Sequence, residues 1–416
     1  MVQGPHLHFE IRDSKTEQPI NPILFRINIK DTVEPYIVSM ALSPMKNSSV
    51  EGKPADKIIG INKNSDFKQG DTIECYGNIY FSILAYDPSM RSSMRNGVWK
   101  TELFADSVLI FSHHIEKFSF TDYGFVDATI NYPLYIKTNK RMLCSRQKDN
   151  GLLPFNKYRN KGILNVKPDS VYKIQWKLTD LSDNSMTYTY YIKGVFDSAA
   201  YSRTYTREGQ QYFRYNQENN FTAKDGSQFV FPKNSLYEDI DFKYSSSKGT
   251  YSDVHRLHTV TEPVKKKFTV RIKPYKTDNA LKDKYLVVKI NSKGGKKSVG
   301  GGLKNGFVET VTGDFGNFAV WIDTIAPNVK PSNFKENKII HKNQKTLKFS
   351  VSDNLSGVDT YNGYLNGEWV LLEFDGRRAT LIYNIDEKLK EGKNEMKIVV
   401  TDAKNNKKTA KFTVVR

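Results

Sequence analysis

Cysteine is nearly missing from this chain. Cys75 and Cys144 are the two present in 416 residues, and they lack the paired spacing of a thiolate metal site, so they are free or form one disulfide. Long apolar runs are missing as well. None approaches the ~18–20 residues needed to cross a bilayer, which excludes a transmembrane helix. Helical periodicity over any length is nearly absent, so the fold is not built from helices. No Gly-x-Ser-x-Gly elbow and no Walker loop occurs. Gly300-Gly301-Gly302 runs into Leu303-Lys304-Asn305-Gly306 rather than into a helix, and reads as a loop, not a phosphate cradle. There is no recognition-helix or aromatic RNA-binding motif. No charged and apolar leader precedes Gly4. Met1-Val2-Gln3 leads straight into a string that normally lies deep inside a domain, so the natural beginning is expected upstream.

What is present is basic and β-forming. Sixty-three basic residues against 45 acidic ones give a net charge of +18. Such a field attracts nucleic acid, anionic lipid or an acidic wall polymer. The lysines are scattered, however, and the densest cluster, Lys265-Lys266-Lys267, runs into Phe268-Thr269-Val270 like a strand edge or turn. A generally basic surface with no specific nucleic-acid partner is therefore expected. With 38% hydrophobic and 12% aromatic residues, including 24 Tyr and 24 Phe, the chain can bury cores in two to four domains. Branched and aromatic side chains favour strands, and many short strands separated by turns point to an all-β fold of tandem sandwiches.

An internal repeat sharpens this reading. Asp31-Thr32-Val33-Glu34-Pro35 matches Asp323-Thr324-Ile325-Ala326-Pro327. The first is followed by the strand Ile79 to Asp87 and by Asn96-Gly97-Val98-Trp99. The second is followed by Leu347 to Asp353 and by Asn366-Gly367-Glu368-Trp369. Each unit closes in a hairpin, turning at Thr179-Asp180-Leu181-Ser182-Asp183-Asn184 and at Thr401-Asp402-Ala403-Lys404-Asn405-Asn406. Asp and Asn suit such turns because they bond their own backbone and tolerate positive φ. The expected division is residues 1–30, an Ig-like sandwich over 31–195 with an insertion near 131–165, a distinct β-rich unit over 196–324, and a second Ig-like sandwich over 325–416. Asp353, Asp359, Asp402 and Glu373 fall near turns, where capping is the leading role and Ca²⁺ binding a lesser one. Trp99 and Trp369, at equivalent positions, are expected to anchor cores, with glycan stacking as the alternative.

The string richest in chemistry is Gly4-Pro5-His6-Leu7-His8-Phe9-Glu10-Ile11-Arg12. On a strand, His6, His8, Glu10 and Arg12 share one face. Two neighbouring imidazoles can then place one nitrogen on zinc and the other beside a metal-bound water. With Gln18-Pro19-Ile20-Asn21-Pro22 after it, this string resembles the closing signature of the lysostaphin/LytM family of zinc endopeptidases, which cut peptide bonds in peptidoglycan. The resemblance implies that His8 is a zinc ligand, that His6 is catalytic, and that the peptidase domain, of which residues 1–30 are a LytM-type remnant, ends at Asn21-Pro22. The family's other ligands come from an upstream His-x-x-x-Asp, which has no counterpart here. His113, His114, His255, His258 and His341 lack an Asp four residues later, and His258 with Glu262 lies in a strand-like stretch. One ligand of three cannot hold catalytic zinc well. The expectation is therefore the C-terminal portion of an exported, periplasmic or envelope zinc peptidase, inactive as this chain, with peptidoglycan peptide as the parent's substrate. More broadly, the modules resemble envelope endopeptidases of the Bacteroidetes group, whose other envelope proteins are possible partners. The alternative is a non-catalytic envelope binding or structural protein built of Ig-like domains.

Overall fold

Alternation of apolar and polar residues becomes strands along nearly the whole chain. In Val171–Thr179, Ile174, Trp176 and Leu178 are buried while Lys173 and Lys177, on the other face, are exposed. The computed structural model describes residues 9–25, 31–62, 65–88, 95–151, 153–202 and 209–416. The fold is all-β, with short helices only.

Residues 9–25 form a small hairpin in which Ile11–Arg12 pairs with Pro19–Ile20. It is tied to the following sandwich by the Ile20–Lys117 bridge and by the Asn21 amide donating to the Glu116 carbonyl at 2.9 Å. The first sandwich is organised by one 17-residue strand, Thr72–Pro88. Its first half pairs in parallel with Ser185–Gly194 and its second half antiparallel with Tyr36–Pro44. Gly77, at φ 79°, is a required kink between the halves. A Cβ there would lie 2.5 Å from the Ser48 hydroxyl, the group that accepts the Asn78 amide. Trp176, Tyr190, Phe81, Phe111 and Leu103 fill the core.

Within the expected insertion, Asn131 caps the helix Tyr132–Thr138 by accepting the Leu134 amide, and Asn139 ends it in the left-handed region. Leu143–Cys144 and Ile163–Val166 then return to the long strand as added pairs. The insertion is thus part of the first sheet system rather than a loop beside it. Together with the segment just before it, the insertion carries the contact to the next unit. Arg146 pairs with Glu238, the Tyr237 hydroxyl donates to the Gly124 carbonyl, and the Lys265 ammonium donates to Asn150 Oδ1 at 2.7 Å while lying over the Phe125 ring.

Residues 211–322 build two five-stranded sheets and a two-stranded one, Gln211–Phe213 with Ile240–Phe242, around Phe213, Phe231, Phe242, Phe268 and Phe315. The triple glycine is not a plain loop. Lys296–Gly300 belongs to one sheet and Gly302–Lys304 to the other, and Gly301 makes the crossing. It adopts φ 90° so close to the Glu309 carbonyl that a Cβ would lie 2.3 Å away. Gly300 and Gly301 both take positive φ, 77° and 90°, at this crossing, while strand propensity in the flanking Lys-Lys-Ser-Val and Leu-Lys segments keeps the chain in a ladder on either side. The lysine cluster lies where the Pro263–Ile272 strand shifts register between Pro263 and Phe268. The last unit pairs two four-stranded sheets over Phe349, Tyr383, Met396 and Ile398.

Candidate functional site

His6 and His8 lie outside the described residues. Just after them, Arg12 pairs with Glu10, its Nη2 2.6 Å from Oε1, on the exposed hairpin. The remaining histidines are held by local partners. His113 Nδ1 is 2.7 Å from Asn156 Oδ1, His255 Nδ1 is 2.8 Å from the Tyr244 hydroxyl, and His258 accepts the Lys243 amide. His114 stands edge-on to Trp99, and His341 accepts the Asn343 amide. Burial of His258 pushes its imidazole down to about 4, keeping it neutral at physiological pH. Among the described residues, the groups able to hold a metal contain no histidine and no cysteine. They do not fit a zinc centre of the His-rich kind.

Those groups are two carboxylate triads, Asp31–Asp87–Asp180 and Asp323–Asp353–Asp402, in each of which the ligand oxygens lie within 4.8 Å of one another. They occupy equivalent places in the two sandwiches, where the chain enters each one. Each is assembled from the same three pieces: the Asp-Thr-x-x-Pro segment, the end of a central strand, and the closing hairpin turn.

The turn explains one carboxylate of each triad. Asp180 Oδ1 accepts the amides of Ser182 and Asn184 at 2.8 and 2.9 Å, and Asp402 Oδ1 accepts those of Lys404 and Asn406, both at 2.8 Å. A final asparagine then locks the turn onto the incoming segment. Asn184 Nδ2 donates to Asp180 Oδ2 at 2.7 Å and to the Asp31 carbonyl at 3.3 Å. Asn406 Nδ2 donates to Asp402 Oδ2 at 2.7 Å and to the Asp323 carbonyl at 3.0 Å. Turn capping therefore accounts for Asp180 and Asp402, as the sequence suggests.

It does not account for the convergence of three. Two like charges this close cost about 3 kcal/mol at an effective dielectric near 20. Asp87 Oδ1 and Asp353 Oδ1, again equivalent, are shielded from solvent and accept no hydrogen bond from the described residues. Burial, with Asp180 and Asp31 beside it, pushes the Asp87 carboxyl up to about 6. A hard divalent cation, which takes oxygen ligands and neutralises their charge, is the species such a set can hold. Of the other carboxylates noted in the sequence, Asp359 is exposed and Glu373 accepts from Asn384 Nδ2. Neither joins a triad.

The tryptophan expectation is overturned. Trp369 is 54% exposed, while Trp176 is fully buried in the first core. The Trp369 strand pairs only at the sheet edge, and its indole donates outward to Asn362 Oδ1 at 3.3 Å. Trp99 is half-buried against the His114 ring, 4.5 Å between centroids. Cys75 and Cys144 are both free and buried, and burial pushes the Cys75 thiol up to about 12. Among the described residues, no helix is long and apolar enough to cross a membrane.

Residues 210–323 match the Zu5-like domain family. No curated protein matches the chain. Among solved structures, the fibronectin(III)-like modules of Clostridium thermocellum CbhA align over 88% of this chain and 93% of theirs, at 10% identity and a TM-score of 0.17. A glucan-utilisation protein of Bacteroides ovatus, SGBP-B, solved with a mixed-linkage heptasaccharide, aligns over 93% of this chain and 71% of its own, at 6% identity and a TM-score of 0.16. The central fibronectin-III array of RIM-binding protein aligns over 82% and 93%, at 8% identity and a TM-score of 0.15. Likenesses this faint carry no argument about function.

Proposed function

We propose that this chain is a non-catalytic structural and binding protein of the cell envelope, exported, whose sandwiches are set in line by divalent cations, Ca²⁺ foremost, at the two carboxylate triads. One observation carries the reading. The same three aspartates and the same locking asparagine recur where the chain enters each sandwich, and in each triad one buried oxygen accepts no hydrogen bond from the described residues. A turn needs one aspartate, whereas a cation needs several oxygens at once. Fixing the entering segment to the closing hairpin also fixes the angle at which each sandwich leaves its predecessor, which suits a spacer or scaffold.

Calcium titration by isothermal calorimetry, alongside thermal unfolding in Ca²⁺ and in EDTA, tests this directly. About two ions per chain and a higher unfolding temperature are expected. Absence of both heat and thermal shift at millimolar Ca²⁺ would remove the reading.

The second reading is the C-terminal portion of a zinc-dependent peptidoglycan endopeptidase, and it rests on the string from Gly4 to Arg12 with Asn21-Pro22. In it His8 binds zinc and His6 acts in catalysis, while an upstream His-x-x-x-Asp supplies the rest. Zinc content and peptidoglycan cleavage, measured on this chain and on one extended upstream, separate the two. Zinc and cleavage confined to the extended protein support the peptidase. Their absence from both leaves the sandwiches as the function.

A further inference from the structure

Strand register places a row of polar side chains across the outer face of the first sandwich. Lys157, Ser112, Glu102 and Lys177 stand opposite one another on four adjacent strands. The next row along these strands, Phe111, Leu103 and Trp176, faces the core. The polar row is the floor of a groove of about 880 Å³. Gln18 of the N-terminal hairpin and Phe118 form one wall, and Pro154 with Phe155 another. The hairpin is held there by the Phe118 amide donating to the Pro19 carbonyl at 3.3 Å and by Lys117 Nζ, 3.7 Å from Asp13 Oδ2.

The floor has an unusual charge order. Glu102 is only 9% exposed and is paired with Lys100 at 2.9 Å. Lys157 and Lys177 flank it, exposed and without an ion pair among the described residues. They stand three strand spacings apart, roughly 14 Å. Trp99 and His114 border the groove; among the described residues Trp99 Nε1 makes no hydrogen bond, and His114 Nε2 lies 3.6 Å from Glu116 Oε1.

We propose that this groove binds an acidic oligosaccharide. The two lysines match carboxylates spaced along a chain, the buried carboxylate of Glu102 accepts from hydroxyls between them, and Phe155 and Trp99 offer apolar surface to sugar C–H faces. An extended peptide is a poorer occupant. The floor is a sheet face whose backbone groups are already spent in ladders, so strand addition has nothing to pair with. The proposal is independent of the cation reading.

The test is calorimetry of the full chain with an oligogalacturonate of about six sugars, a neutral cello-oligosaccharide of the same length, and a short poly-glutamate peptide. Binding of the acidic sugar is expected, with the neutral sugar and the peptide at least about tenfold weaker. The double variant Lys157→Ala/Lys177→Ala loses about tenfold or more, as the loss of charge-assisted bonds implies, with an unchanged unfolding temperature because both side chains are exposed. Lys335→Ala/Lys338→Ala, remote in the last sandwich, leaves binding unchanged.

Glu102→Gln discriminates further. Hydroxyl recognition predicts weaker binding, whereas simple attraction of an anion to a basic surface predicts tighter binding. Tighter binding by Glu102→Gln, equal loss in the remote lysine variant, equal or stronger binding of poly-glutamate, or no binding of the acidic sugar would each overturn the proposal.

Discussion

The two triads contain the same residues but are settled differently. In the last sandwich, Asp323 and Asp402 are 1% and 0% exposed. The surrounding backbone reaches in: Ser356 donates to Asp323 Oδ2, and Leu355 and Gly357 donate to Asp353 Oδ2, at 2.8–2.9 Å. Ala403 donates to the Gly357 carbonyl, closing that loop over the site. In the first sandwich Asp180 is equally buried, at 1%, and Asp87 is half-buried as Asp353 is, so the difference lies in Asp31, half-buried where Asp323 is covered. There the residues corresponding to Leu355, Ser356 and Gly357 lie outside the described residues, the Val33 amide donates to Asp31 Oδ1 at 3.1 Å, and burial, Asp180 and Asp31 push the Asp87 carboxyl up to about 6. The two sites thus share one plan and differ in how deeply the entering aspartate is covered.

The largest expected break falls on the lock. Asn406→Ala leaves the buried Asp402 oxygen and the Asp323 carbonyl unpaired, and should destabilise the last sandwich by about 3 kcal/mol. The half-buried equivalent, Asn184→Ala, should cost about half as much, and urea unfolding followed on each variant measures both. Equal losses would mean that burial does not separate the triads.

Next comes the cation. At about one hundred times its dissociation constant, a bound ion adds about 2.7 kcal/mol. Asp353→Asn should remove the Ca²⁺-dependent rise in unfolding temperature at the last sandwich and leave it at the first, with Asp87→Asn doing the reverse. Loss of both rises in either single variant would show one coupled site rather than two.

A smaller effect is set by pH. Asp87 is raised from 3.8 to about 6, so the folded chain binds the extra proton between those values. Its contribution is full below about 4 and is lost as pH rises through 6. After screening at this partly exposed site it amounts to about 1 kcal/mol. Without cation, Asp87→Asn should therefore match the parent near pH 4 and exceed it by that amount at pH 7. Saturating Ca²⁺ should invert the order at pH 7, because it needs the charged form. Thermal unfolding at the two pH values in EDTA and in Ca²⁺ checks the sign.

Smallest of all is Trp369→Ala, expected within about 0.5 kcal/mol because the ring stands on the surface. A loss of several kcal/mol on urea unfolding would restore its role as a core anchor.

Much of this could be read from the residues. The alternating strands, the duplicated unit and the hairpin turns at Asp180 and Asp402 follow from local pattern, because side-chain period and turn chemistry are local properties. The triads were half legible. Asp31, Asp87 and Asp180 each sit in a repeated segment, and finding all three at matching places in both copies is the signal that they converge. What pattern could not supply was distance: Asp87 and Asp180 are far apart in the chain and meet only when the hairpin folds back beside the central strand. The tryptophans misled for the same reason. Composition marks an indole as a core residue, yet the edge position of Glu368–Val370 leaves Trp369 outside.

The chain's order of residues by itself determined an all-β protein with a duplicated sandwich and aspartate-capped turns, since these depend on neighbours a few positions away. Only the tertiary structure decided which carboxylates share a site, which lysines flank Glu102 on one sheet face, and which of two equivalent tryptophans packs against a neighbour. Those outcomes depend on strand register and on what covers each face, and both are set by contacts between segments remote in sequence.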